Sequence, residues 1–97
     1  MSFNPEQALQ LARETLDIEA AALLGLKSRL DTRFTQAVQM MLNVKGRVVV
    51  TGMGKSGHIG SKIAATLAST GTPAMFVHPG EASHGDLGMI KAVDVVL

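Results

Sequence analysis

Apolar residues recur at helical spacing through the first part of the chain and predict two helices. Asn4 suits a helix N-cap, Pro5 the first helical position, and Glu6 the positive end of the helix dipole. One apolar face then recurs at three- and four-residue steps: Leu9, Ala12, Leu16, Ala20 and Leu23. We expect Gly25 to weaken or bend this helix. A second helix is predicted over 32–43, and its inward face would consist of Phe34, Ala37, Val38, Met41 and Leu42.

The pattern changes after Gly46, where apolar runs without alternation indicate buried strands. The β-branched run over 47–51 is typical of a strand that is covered on both faces of a parallel sheet. A glycine-rich turn follows, then a predicted helix over 56–69 with Ile59, Ile63 and Leu67 on one side. Further strands are predicted over 74–78 and 93–97. Strand, helix and strand in this order indicate a right-handed βαβ unit.

These elements predict an α/β fold with a three-layer, parallel-sheet architecture. Residues 1–46 would form an N-terminal helical segment, and residues 47–97 the first βαβ portion of the sheet. No predicted element covers the third strand, whereas a doubly wound sheet continues on that side. We therefore expect the chain to be the first part of a larger domain, truncated at its C-terminus, or to need a partner at that edge.

Composition excludes several classes of function. The hydrophobic fraction of 46% in 97 residues indicates a folded chain, and a net charge of +1 gives no reason to expect nucleic acid as a partner. With no cysteine, disulfides and thiolate metal sites are excluded. No apolar stretch approaches the ~20 residues of a membrane span, and charged residues near the N-terminus do not fit a signal peptide. These features predict a cytoplasmic protein.

The turn over 52–57 is the first candidate site. It matches G-x-G-x-x-G directly after a strand and before a helix, where backbone amides and the helix dipole favour an anion. Lys55 adds a full positive charge, so the turn favours a phosphate-bearing ligand. A tight strand-to-helix turn without any ligand is the alternative.

Three kinds of phosphate-binding loop have glycines and a lysine or helix N-terminus like those of this turn. A P-loop is excluded because its first glycine would fall at Val49. A dinucleotide site fits the glycines, but it needs an Asp or Glu at the end of the second strand to hold a ribose. No such residue ends the strand, and Glu81 lies beyond it, after Pro79 and Gly80. A sugar-phosphate site explains Lys55 best.

The segment over 78–88 is the second candidate site, because it follows a strand and holds two histidines and two carboxylates. His78, Glu81 and His84 are spaced by threes and could converge on a metal, or the histidines could move protons on a sugar. Alternatively, His84 and Asp86 cap a short helix. His58 is expected to be a solvated surface residue.

The residues over 48–73, which begin VVVTGMGKSGHIG, resemble the sugar isomerase (SIS) domain, a flavodoxin-like fold. The run FVHPGEASHGDLGMI is similar to the bacterial D-arabinose-5-phosphate isomerases. That family interconverts D-ribulose 5-phosphate and D-arabinose 5-phosphate for synthesis of the Kdo sugar of lipopolysaccharide or capsule. Its members are cytoplasmic homotetramers, require no cofactor, and commonly carry CBS modules after the SIS domain.

The resemblance also implies roles for individual residues. Lys55 matches a catalytic lysine, and four residues match substrate contacts: Gly71, Thr72, His78 and His84. His78 also matches a position at which zinc binds as an inhibitor. The family's Ser-Asn-Ser-Gly-Glu phosphate loop would begin just after Leu97, and its catalytic glutamates lie beyond. A non-catalytic sugar-phosphate-binding module and a dinucleotide-binding domain are the alternative functions.

Overall fold

The computed structural model describes residues 2–97. By internal packing the chain divides into two compact units, one ending at Thr35 and the other spanning Gln36–Leu97. The first unit contains helix α1 (Pro5–Gly25), a 3-10 turn (Lys27–Arg29) and the start of helix α2 (Thr32–Leu42). The predicted N-cap of α1 is confirmed, because Asn4 Oδ1 accepts the Gln7 N–H at 3.2 Å.

Helix α1 carries apolar residues that are exposed along its whole length. None of its residues is buried, and Leu16 and Leu23 of the predicted apolar face are 65% and 68% exposed. The helix ends at Gly25 and passes into the 3-10 turn, where the Leu26 N–H donates to the Leu23 carbonyl at 3.1 Å. Gly25 therefore ends helix α1, whereas the sequence predicted only a weak point or a bend there.

The second unit is built on a three-stranded parallel sheet. Its strands are β1 (Val48–Val50), β2 (Ala74–Phe76) and β3 (Val95–Val96), in the spatial order β2-β1-β3. Val48 pairs with both Ala74 and Val95. Helix α3 (Gly54–Ser69) joins β1 to β2, while helix α4 (Pro79–Ala82) and a 3-10 turn (Asp86–Met89) precede β3. The order is the beginning of the flavodoxin-like arrangement, and it confirms the predicted α/β class.

The core lies around β1, whose three valines are at most 2% exposed, as the sequence predicted for a fully covered strand. Helix α3 packs on it through Gly57, Gly60 and Ala64. A Cβ at Gly60 would lie 3.1 Å from Val50 Cγ1, so the small residues allow close approach. The larger Ile59 and Ile63 lie on the more open side of the helix.

The predicted inward face of α2 is only partly correct. Met41 packs against the core, together with Val44, which follows the helix. Phe34 and Leu42 are instead 55% and 77% exposed. Within residues 2–97, no helix is both long and apolar enough to cross a membrane.

Candidate functional site

The carboxyl ends of the three strands define one edge of the sheet, because the strands are parallel. Two backbone hydrogen bonds tie this edge together just beyond the strands. The Thr51 N–H donates to the Leu97 carbonyl at 3.0 Å, and the Val77 N–H donates to the Val50 carbonyl at 2.9 Å. The chain leaves β1 toward the glycine-rich turn and leaves β2 toward His78. Both segments singled out by the sequence therefore begin at the same edge, where ligands bind in open α/β sheets.

The glycine-rich turn is tight for identifiable steric reasons. Gly54 has φ +58°, a backbone conformation that side chains disfavour, and a Cβ at Gly57 would lie 2.6 Å from the Gly52 carbonyl oxygen. Helix α3 begins at Gly54, two residues before the predicted start at Ser56. Lys55 and Ser56 consequently belong to the first turn of the helix and not to the loop before it.

The N-terminus of α3 is left without a side-chain cap. Met53 occupies the N-cap position in an extended conformation, and its thioether makes no capping hydrogen bond. The Gly57 N–H donates to the Met53 carbonyl at 3.3 Å, which leaves the three preceding helical N–H groups without an intrahelical acceptor. These amides and the helix dipole favour a negatively charged group at this position.

Lys55 lies at a groove beside this helix end. The groove has a volume of about 390 Å³, and Thr51, Lys55, Ser56 and Leu97 contribute to it at the carboxyl edge. The side of α3 and strand β1 complete its wall through Val50, Ile59, Gly60 and Ile63. Thr51 and Ser56 are polar lining residues that the sequence analysis did not single out. The groove therefore combines an ammonium group and hydroxyl groups with an apolar wall.

His78 lies just after β2 and caps the next helix. Its Nδ1 accepts the Gly80 N–H at 3.0 Å, which makes His78 the N-cap of α4. The alternative prediction that His84 and Asp86 cap a short helix is wrong. Gly85 holds the N-cap position of the 3-10 turn, and no side chain caps it. The sequence did contain a signal for His78 as an N-cap, because it is followed by Pro79 and proline favours the first position of a helix.

His84 and Glu81 are exposed, and the residues from 78 to 84 do not assemble a metal centre. Among residues 2–97, no three His, Asp or Glu side chains lie close enough together to hold a metal ion. The suggested convergence of His78, Glu81 and His84 is therefore not present in this structure. Zinc binding at His78 stays a prediction. His58 is exposed on α3, as expected.

Gly71 and Thr72 lie at the opposite edge of the sheet from Lys55. They end α3 in a turn where Gly71 has φ +103° and the Thr72 N–H donates to the Leu67 carbonyl at 2.9 Å. The next residue, Pro73, accepts the Val48 N–H at the amino end of β1. Lys55 lies in the first turn of α3 and Gly71 follows its last turn, and this helix of 16 residues is about 24 Å long. The structure thus brings Lys55 and His78 to one edge and places Gly71 and Thr72 at the other.

Asp94 is a structurally important carboxylate that the sequence analysis missed. Its Oδ1 accepts the Arg47 N–H and its Oδ2 accepts the Lys91 N–H, both at 2.7 Å. These two backbone hydrogen bonds lower the pKa of Asp94 below its ordinary value of 3.8. The sequence signal for a structural role of Asp94 was its position as the one carboxylate within the apolar run over 92–97. Asp94 joins the beginnings of β1 and β3, on the side of the sheet away from Lys55.

Comparison with known proteins relates this arrangement to SIS domains. Residues 41–97 match the SIS domain family. The chain is 60% identical over 86 residues to arabinose 5-phosphate isomerase KdsD of Pseudomonas aeruginosa, covering 89% of this chain and 26% of that protein. It is 58% identical over 92 residues to arabinose 5-phosphate isomerase GutQ of Escherichia coli K12, covering 95% and 29%.

Solved structures show the same fold. An Escherichia coli CFT073 protein in complex with A5P matches with a TM-score of 0.88 and 40% identity, covering 97% of this chain and 50% of that one. A phosphosugar isomerase from Bacteroides fragilis, described as putative and as involved in capsule formation, matches with a TM-score of 0.84 and 38% identity, covering 92% and 47%. This chain spans less than a third of the curated relatives and about half of the solved ones. Because the family match covers more than half of its residues, the chain belongs to the SIS domain family.

Proposed function

We propose that this chain forms the lysine- and histidine-bearing part of a D-arabinose-5-phosphate isomerase, which interconverts D-ribulose 5-phosphate and D-arabinose 5-phosphate. The two similar curated proteins carry that name, and a similar solved structure holds A5P. The observation that carries the proposal is Lys55 in the uncapped first turn of α3, beside a groove at the carboxyl edge of the sheet. A phosphorylated sugar supplies the anion that this helix end favours.

Aldose–ketose isomerisation needs a base and a positive group near the carbonyl oxygen. The base removes a proton from the carbon beside the carbonyl, a cis-enediol forms, and the proton returns to the neighbouring carbon. Lys55 would stabilise the enediolate oxygen, since its ammonium group lies at the positive end of α3. The groove lining includes no carboxylate. The base would therefore come from residues outside this groove.

The remaining candidate residues would hold the sugar. His78, at the same edge of the sheet as Lys55, and His84 would orient sugar hydroxyls. Gly71 and Thr72 follow the far end of α3 from Lys55, and this helix is about 24 Å long. Gly71 and Thr72 would therefore contact the substrate of a second copy of the chain, within a homo-oligomer that would be a tetramer in the intact protein.

The cellular setting follows from the same proposal. The reaction would supply Kdo synthesis for lipopolysaccharide or capsule in the cytoplasm, without a required cofactor and with zinc as an inhibitor at His78. Residues 47–97 would carry the βαβ portion of the SIS domain, and residues 1–46 the helical segment before it.

A non-catalytic sugar-phosphate-binding module is the second candidate function. Such a module would use the same two features, the positive charge of Lys55 and the uncapped first turn of α3, to hold the phosphate. A dinucleotide-binding domain has weaker support. Strand β2 ends at Phe76 and is followed by the buried Val77 and then by His78, so no carboxylate stands where a ribose would be held.

Thermal unfolding followed by circular dichroism separates these candidates. The chain is melted alone, with arabinose 5-phosphate, and with NAD at the same concentration. The proposal predicts a rise in melting temperature with the sugar phosphate only, because a ligand that binds the folded state stabilises it. A rise with NAD only would overturn the proposal in favour of a dinucleotide site. An isomerase is distinguished from a binding module by formation of ribulose 5-phosphate from arabinose 5-phosphate, measured after this chain replaces the matching segment of the Pseudomonas aeruginosa isomerase.

A further inference from the structure

The hydrogen bond that caps α4 determines the chemistry of the His78 ring. The Gly80 N–H donates to His78 Nδ1 at 3.0 Å. An amide N–H can donate a hydrogen bond only to a ring nitrogen that has a free lone pair. The Nδ1 atom of His78 therefore carries no proton. The neutral ring then has its single proton on the other nitrogen, Nε2.

We infer that the Gly80 amide fixes His78 as the Nε2–H tautomer, so that the ring offers a hydrogen-bond donor to its ligand and accepts zinc only when this cap is broken. Gly80 acts here as a positioning residue through its backbone. A hydroxyl or phosphate oxygen accepts such a hydrogen bond, and this part of the inference rests on the proposed function. The exposed position of His78 leaves Nε2 available for the contact.

Zinc does not fit the ring in this arrangement. A histidine that binds a metal through one nitrogen donates the proton of its other nitrogen to a neighbouring acceptor. Zinc on Nε2 would place a proton on Nδ1, where it would face the Gly80 N–H donor. Zinc on Nδ1 would displace that amide directly. Either binding mode requires loss of the hydrogen bond that caps α4.

Nitrogen-15 NMR of the imidazole rings in the 97-residue chain tests the tautomer directly. Spectra are recorded above pH 7.5, well beyond the ordinary histidine pKa of about 6.5. His58 and His84 serve as exposed internal references. His78→Asn assigns the third signal and keeps an N-cap side chain, since asparagine is a preferred cap.

The expected spectrum shows His78 with an unprotonated Nδ1 and a protonated Nε2, while the two reference rings show an average of both tautomers. The inference is overturned if His78 shows the same average as His58 and His84. Neither result depends on the sugar phosphate. Failure of arabinose 5-phosphate to bind would contradict the proposed function and would leave the tautomer unaffected.

Zinc titrations of two variants test the coupling to the cap. Gly80→Pro removes the N–H, whereas Gly80→Ala keeps it, and both add a Cβ that would lie 3.1 Å from His78 Nδ1. The proline variant should bind zinc about two- to twelvefold more tightly than the alanine variant, the equivalent of one hydrogen bond. In the alanine variant, zinc binding should shift the amide signal of residue 80. Equal zinc affinities, or zinc bound at His78 with that amide signal unchanged, would refute the coupling.

Discussion

Asp94 shows how one half-buried carboxylate can organise the start of two strands. Its two oxygens accept hydrogen bonds from Arg47 and Lys91, of which Arg47 is 47 residues away along the chain. Asp31 is also held by a neighbour, but its partner Arg33 is only two residues away. The pKa of Asp94 is lowered mainly by the Arg47 backbone hydrogen bond, and that of Asp31 mainly by the Arg33 side chain.

Asp94→Asn should therefore lower the melting temperature at pH 7, because the amide offers one acceptor oxygen in place of two. A lowered folded-state pKa contributes stability that is present above the ordinary value of 3.8 and is lost as pH falls through the folded value. The difference between wild type and variant should accordingly shrink below pH 4. Melts followed by circular dichroism at pH 7, 5 and 3 measure it. Asp31→Asn, the matched control, should change little at pH 7, because its ion pair is exposed and local.

An Asp94→Asn effect that is the same at all three pH values would contradict this explanation. So would an equally large effect of Asp31→Asn at pH 7.

At the scale of elements, the junction of β1 and α3 depends on small residues. A Cβ at Gly57 would lie 2.6 Å from the Gly52 carbonyl oxygen, a backbone atom that cannot move without opening the turn. Gly57 is also buried against the sheet. The start of α3, and with it Lys55, is therefore positioned by the absence of a side chain at residue 57.

Gly57→Ala should destabilise the chain by about 1–3 kcal/mol, the usual cost of overpacking a closely packed site. The matched control is Gly88→Ala, since a Cβ there would meet nothing within 4 Å. Urea unfolding at constant pH measures both variants, and Gly88→Ala should stay within about 0.5 kcal/mol of wild type. Similar unfolding free energies for the two variants would mean that the turn can open without cost.

The same elements show what the sequence could predict. The run of three valines in β1 predicted a strand covered on both faces because nothing polar interrupts it. The predicted start of α3 at Ser56 is two residues late, because glycine ordinarily favours turns and Gly54 nevertheless begins this helix. His78 was recognised as a candidate ligand but not as a cap. The sequence pattern does not show which ring nitrogen of His78 accepts the Gly80 N–H, because that depends on the three-dimensional geometry.

At the scale of the whole molecule, α1 leaves large apolar residues in contact with solvent. Leu9, Leu16, Ile18 and Leu23 are each more than half exposed, and the helix has no buried residue. Helical periodicity predicted an apolar face but not what covers it, because coverage depends on residues or partners that spacing does not identify. Exposed apolar patches of this kind mark interaction surfaces.

The isolated chain should consequently bind a hydrophobic dye such as anilinonaphthalene sulfonate at neutral pH. Replacing Leu16 and Leu23 together by glutamine should reduce dye fluorescence, because it removes two exposed apolar side chains from α1. Replacing the exposed polar residues Arg13 and Asp17 by glutamine provides the control and should leave fluorescence unchanged. Equal fluorescence for both double variants would show that the dye binds elsewhere.

The central claim is that Lys55 serves isomerase chemistry, and exchange into a relative tests it most directly. This chain is substituted for the matching segment of the Pseudomonas aeruginosa isomerase, to which it is 60% identical, and kcat is measured for arabinose 5-phosphate. Lys62→Ala is the matched control, because Lys62 is exposed on the same helix. We expect the exchanged protein to be active, Lys62→Ala to change little, and Lys55→Ala to lower kcat by about a hundredfold or more. A folded but inactive exchange, or a Lys55→Ala variant as active as Lys62→Ala, would contradict the claim.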